Sequence, residues 1–192
     1  TVDGVTHILP KPFMVLATQN PIEYEGTFPL PEAQLDRFLL HLQLGYPSLG
    51  SEIQILERQQ TKHPLGTLEA IVSNVEVVEA AQAVKQIYVS DPVKRYIVEL
   101  TQATRRSADV HLGASPRGSL ALFRTGQARA ALDGRDYVLP DDIKALAVPV
   151  LGHRIIVGPA ARMRELGADQ IVHEIAHSLP VPGGDFQPAN AE

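Results

Sequence analysis

The chain has 192 residues, 44% hydrophobic and 20% charged, with a net charge of −5 at pH 7. This is the balance of a globular protein with room for one or two small cores, and the acidic sign argues against a broad nucleic-acid-binding face. The lack of cysteine excludes a disulfide framework and a thiolate metal site and fits a reducing cytosol; no apolar run approaches the ~20 residues of a membrane helix.

In chain order, Asp3-Gly4 between apolar and β-branched residues predicts a hairpin turn. Thr1 opens inside that hairpin without a methionine, so a start within a longer protein is expected. Residues 13–17 are a short continuous apolar run, expected as a strand buried on both faces. Thr18, Gln19 and Asn20 follow at its C-terminal end, where open α/β sheets place ligand-contacting groups. Asn20-Pro21 closes the strand. Pro31 opens a short predicted helix to Arg37, with Glu32 in its first turn. A second apolar strand is predicted over 38–44, and the turn-rich run 45–50 marks a domain boundary.

Beyond it the pattern turns helical. Ser51 and Gln54 predict a helix start, with an end before Pro64. Val77, Ala80, Ala81, Val84, Ile87 and Tyr88 recur at helical spacing. Asp91-Pro92 predicts a helix start that buries Val93, Tyr96, Ile97 and Leu100. Ser115-Pro116 repeats the device, with a helix to about residue 132 and Gly134 as its stop. Asp141-Asp142 opens another helix, with Ile143, Leu146, Ala147 and Val150 on one face and Pro149 bending or ending it. A last helix spans about 168–178, and residues 183–192 are expected as a loose tail.

The run from Phe13 through Asn20 and Pro31 to Arg37 closely resembles the MoxR family of AAA+ ATPases. The resemblance continues through Gly45-Tyr46-Pro47, Gly113 to Arg117, Gly134 to Asp142 and Leu151 to Arg154, roughly from Thr1 to Pro182. Several long motifs in order are far more specific than one short pattern. The fold class implied is an α/β fragment followed by an all-α lid. The fragment is the end of an AAA+ core, residues 1–47, and the helical lid covers 48–182. The resemblance also implies ATP and Mg²⁺ as cofactors of the parent protein and a homo-oligomeric ring, a hexamer. Further implied partners are a von Willebrand A domain protein and client protein complexes that are remodelled or activated. No nucleic-acid or membrane partner is implied, and the implied location is cytoplasmic.

Three polar residues suit phosphoryl transfer, which needs positioning and charge stabilisation more than covalent chemistry. Asn20, after the predicted strand, can orient water or touch the γ-phosphate; by local sequence alone a turn residue before proline is the commoner reading. Arg37 at a helix end complements the helix dipole. Arg117 falls in the first turn of its helix, against the dipole, a conflict that a bound phosphate would relieve; a solvent-facing arginine is the plain alternative. The resemblance implies sensor 1 for Asn20, a trans-acting arginine finger for Arg37 and sensor 2 for Arg117. Asp36 is expected to pair with a nearby base. Gly118 replaces the alanine usual in the family. Glu23, Glu25 and Gly26 read as a solvated turn, and Arg105, Arg106 and Arg124 are given no role.

His173, Glu174 and His177 fit H-E-x-x-H, a zinc-hydrolase pattern. The nearby prolines, the lack of a third ligand and the ATPase-type motifs make this a remote alternative, and no metal site is assigned. The phosphate loop G-x-x-x-x-G-K-[ST] and a strand ending in Asp-Glu do not occur in these residues. The expectation is therefore an ATPase parent, with the 192-residue piece alone neither hydrolysing ATP nor binding it tightly. A non-catalytic helical interaction module is the alternative from another class.

Overall fold

A computed structural model describes residues 3–19, 30–60 and 63–182. Asn20, Glu23, Glu25, Gly26 and the expected tail lie outside them. Backbone contacts group the chain into two compact units, residues 1–19 with 42–82 and residues 20–41 with 83–192.

In the first unit Asp3 and Gly4 both have positive φ, 50° and 79°, as the two-residue turn predicted there requires. The α2 helix (Leu49–Gln59) starts at Ser48 rather than Ser51, because the Ser48 hydroxyl accepts the Ser51 N–H at 3.3 Å. A 3₁₀ turn follows over Pro64–Thr67. Ahead of α3 (Asn74–Val84), Glu76 accepts the Ser73 N–H at 2.7 Å while the Ser73 hydroxyl accepts the Glu76 N–H at 3.3 Å. This reciprocal cap moves the helix start upstream of the apolar pattern. Among this unit's described residues none is buried.

The predicted strands over 13–18 and 38–44 do not form a ladder. A strand exists only through hydrogen bonds to a neighbour, and a two-face-buried one also needs covering layers. The described residues offer residues 13–18 neither, and Phe13, Met14, Val15 and Leu16 are exposed.

The second unit holds the core. The short helix α1 (Glu32–Leu35) is followed, after the bridge at Tyr88, by α4 (Asp91–Arg106), β1 (Val110–Leu112), α5 (Pro116–Leu132) and α6 (Pro140–Leu151), then β2 (Ile156–Val157), α7 (Pro159–Met163) and α8 (Ala168–Ser178). The β1–β2 ladder is antiparallel, Val110 opposite Val157 and Leu112 opposite Ile156. Val93, Tyr96, Ile97 and Leu100 of α4 are buried, as their spacing predicts, against Leu122, Ile143, Val150, Leu151, Ile171 and Val172. Pro149 does not end α6, which runs on to Leu151. The last helix has the predicted bounds, and Gly134 stops α5 with φ 71°.

Candidate functional site

The loop before Arg117 is fixed from behind by α4. The buried Thr104 hydroxyl accepts the Ala114 N–H at 3.0 Å, and Arg105 Nε donates to the Ala114 carbonyl at 2.7 Å. Arg105, given no role from sequence, thus anchors the approach to α5. Gly113 is what lets it: a Cβ there would lie 2.6 Å from the Arg105 Cα. Ser115 then caps α5, its hydroxyl accepting the Arg117 N–H at 3.2 Å, which sets Arg117 in the first turn as predicted. Gly118 faces the core, where an added Cβ would meet the Leu151 Cδ2 at 2.9 Å.

Arg117 is exposed, and its Nη1 lies 3.4 Å from Asp36 Oδ2. The conflict between a first-turn cation and the helix dipole is thus eased by a carboxylate from the α1 end. Asp36 meets a second base: Arg154 Nε is 3.3 Å from Asp36 Oδ1, an ion pair without hydrogen-bond alignment. The Arg154 side chain is 3% exposed. It also donates to the carbonyls of Phe38 and Val150, of Leu39 at 3.3 Å and of Asp36 at 3.4 Å. Burial works against the Arg154 charge and lowers its pKa, opposed by Asp36; an arginine remains charged all the same.

His153, beside it, faces the Phe38 carbonyl through Nε2 at 3.1 Å. A carbonyl only accepts, so Nε2 carries the proton, and the buried Nδ1 has no partner. A second proton on Nδ1 would be a buried orphan donor. Burial accordingly pushes the His153 pKa down, the Phe38 bond opposes this, and Arg154 and His41 push further down.

The structure therefore brings Asp36 and Arg117 together, with Arg37 next in the chain and exposed just after α1. Asn20 lies outside the described residues. Sequence reasoning gave no role to Arg154 and His153, although Leu151 to Arg154 was a recognisable motif. In α8 the His173 and His177 rings lie with centroids 4.0 Å apart, and His177 Nδ1 is held by the His173 carbonyl at 2.9 Å. Among the described residues no group of three His, Cys, Asp or Glu side chains is placed to hold a metal. An exposed guanidinium in the first turn of a helix is chemically suited to an anion such as a phosphate.

Two family descriptions match this chain: the ATPase family associated with various cellular activities (AAA) over residues 1–40, and the AAA lid domain over 102–175. Chaperone MoxR1 of Mycobacterium tuberculosis is 34% identical over 95% of this chain and 50% of its own length. The chain belongs to the MoxR family of AAA+ proteins. The uncharacterised protein YeaC of Bacillus subtilis is 49% identical to this MoxR-family chain, over 95% of it and 57% of the relative. A crystal structure from Cytophaga hutchinsonii, described as a candidate ATPase, superposes with a TM-score of 0.86 at 36% identity, covering 94% of this chain and 58% of that one. The chain spans about half the length of the curated relatives it matches. No helix among the described residues is long and apolar enough to cross a membrane.

Proposed function

We propose that this MoxR-family chain is the sensor-and-lid part of an ATPase that remodels or activates client protein complexes. The observation that carries the reading is Arg117: an exposed guanidinium in the first turn of a 17-residue helix, on a loop anchored from behind. A helix N-terminus favours an anion, and a guanidinium there adds bidentate recognition of phosphate oxygens. Arg117 contacts the γ-phosphate when the lid closes. Asn20 orients the attacking water or touches the same phosphate. Arg37 reaches the nucleotide of a neighbouring subunit in a ring, a hexamer. The module boundary falls near residues 45–48. ATP with Mg²⁺ supplies the phosphoryl transfer that drives remodelling, and a von Willebrand A domain protein is a fitting partner in the cytoplasm.

The test has two parts. The 192-residue chain alone gives no steady ATP turnover above background. In the intact protein that carries these residues, Arg117→Ala lowers kcat by about 10²-fold or more with KM changed far less, as expected for a group that meets developing charge. Turnover by the chain alone, or an unchanged kcat in the variant, overturns the reading.

A further inference from the structure

Among the described residues Asp36 is the one carboxylate against both Arg117 and Arg154, and its two oxygens are divided between them. Oδ1 faces the buried Arg154 at 3.3 Å and Oδ2 faces the exposed Arg117 at 3.4 Å. The two arms differ in kind. Arg154 is 3% exposed and bonded to several main-chain carbonyls, while the Arg117 side chain is 61% exposed. One arm is fixed and the other is free to leave.

We propose that Asp36 is a positioning residue for Arg117: it holds the guanidinium in the absence of phosphate and yields it to a polyphosphate. The inference rests on the reading of Arg117 as a phosphate contact. Three physical points support it. Arg117 without an anion would stand beside the like charge of Arg154, so it needs Asp36. A polyphosphate carries several negative charges against the single one of Asp36, so it outcompetes it for a bidentate partner. After the exchange Asp36 is still neutralised by Arg154, so no bare carboxylate is left at an only partly exposed site. The exchange therefore costs no more than an exposed ion pair, whose loss corresponds to a change of about two- to fivefold in a binding constant.

The experiment uses this chain and inorganic tripolyphosphate, followed through the Arg117 Nε–H resonance by NMR, assigned by its loss in Arg117→Lys. Tripolyphosphate should move the Arg117 signal, and Asp36→Asn should bind it about two- to fivefold more tightly. Equal affinity in the two proteins overturns the holding role and leaves Arg117 as a phosphate contact. An Arg117 signal that tripolyphosphate moves in neither protein overturns the underlying reading, and this inference with it. Should Asp36→Asn unfold, wild type alone decides. Raising salt to about 0.5 M should shift the exposed Arg117 resonance toward its free position and leave the buried Arg154 resonance in place. No salt shift at Arg117 overturns the proposal.

Discussion

Arg154 grips Asp36 from 118 residues further along the chain, by its side chain at the carboxylate and at the main-chain carbonyl. Together with the Phe38 and Leu39 carbonyls, these contacts fasten the end of α1 to the helical core of the second unit. Removing the guanidinium takes away a donor from several part-buried carbonyls and leaves the Asp36 carboxylate with only its exposed partner. Arg154→Met should therefore lower the unfolding free energy by about 2–4 kcal/mol, whereas Arg117→Ala, at an exposed ion pair, should change it by less than about 1 kcal/mol. Urea titration of the two variants against wild type measures both, and equal losses would contradict the division into a fixed and a free arm.

The neutral His153 ring gives the fold an acid-sensitive segment. The unfolded chain takes up this proton near the ordinary value of 6.5, and the folded chain does so only at lower pH. Between those two values the unfolded state binds more protons, so acid favours unfolding there. The contribution is fully present above pH 6.5 and is lost as pH falls from there through the folded pKa. His153→Gln, which keeps a donor for the Phe38 carbonyl, should flatten that part of the stability–pH curve. Identical curves for wild type and variant would show that His153 titrates normally in the fold.

At the contact of α5 with α6, Gly126 leaves no room for a methyl group unless a neighbour moves. A Cβ there would lie 2.5 Å from the Ile143 Cδ1 and 3.3 Å from the Val138 Cγ1. Alanine gains roughly 1 kcal/mol of helix propensity over glycine, but overpacking a core costs about 1–3 kcal/mol. Gly126→Ala should thus be net destabilising. Ile143→Val deletes the clashing methyl, so the double variant should be more stable than the sum of the two singles allows. A double-mutant cycle by thermal melting reads the coupling; strict additivity would mean that Ile143 already moves aside.

Asp142 ties off the start of α6. Its Oδ2 accepts the Leu139 N–H at 2.8 Å, and its two oxygens take both Arg135 Nη groups at 2.7 and 2.8 Å. Asp142→Ala should cost about 1–2 kcal/mol through the lost cap alone, and hydrogen exchange should quicken first in the opening turn of α6. Uniform quickening across all helices would point instead to a global effect.

The helical core was legible because its information is local. The spacing of Val93, Tyr96, Ile97 and Leu100, or of Ile143, Ala147 and Val150, names the buried face, and Ser115-Pro116 names a start. Elements too short to repeat a period, such as α7 and the β1–β2 ladder, leave no periodic trace. The strand expected at residues 13–18 depends on partners outside its own sequence, and apolar composition cannot supply them. Around the site, the placement of Arg117 followed from its cap, and the pairing of Asp36 with a base was foreseen. That the base would be Arg154 as well as Arg117 was not, because a contact across more than a hundred residues has no local signature. Nor did the sequence show why Gly113 is small until Arg105 was seen lying across it.

The clamp of Arg154 reads main-chain oxygens at residues 36, 38 and 39, so it is indifferent to the side chains of Phe38 and Leu39. Residue 37 sits between two of these gripped positions. Arg37 is therefore mounted by its backbone on the helical core, like a pointer on a dial. On the proposed reading of Arg37, a change in lid angle and a change in the reach of that guanidinium would be one mechanical variable, not two.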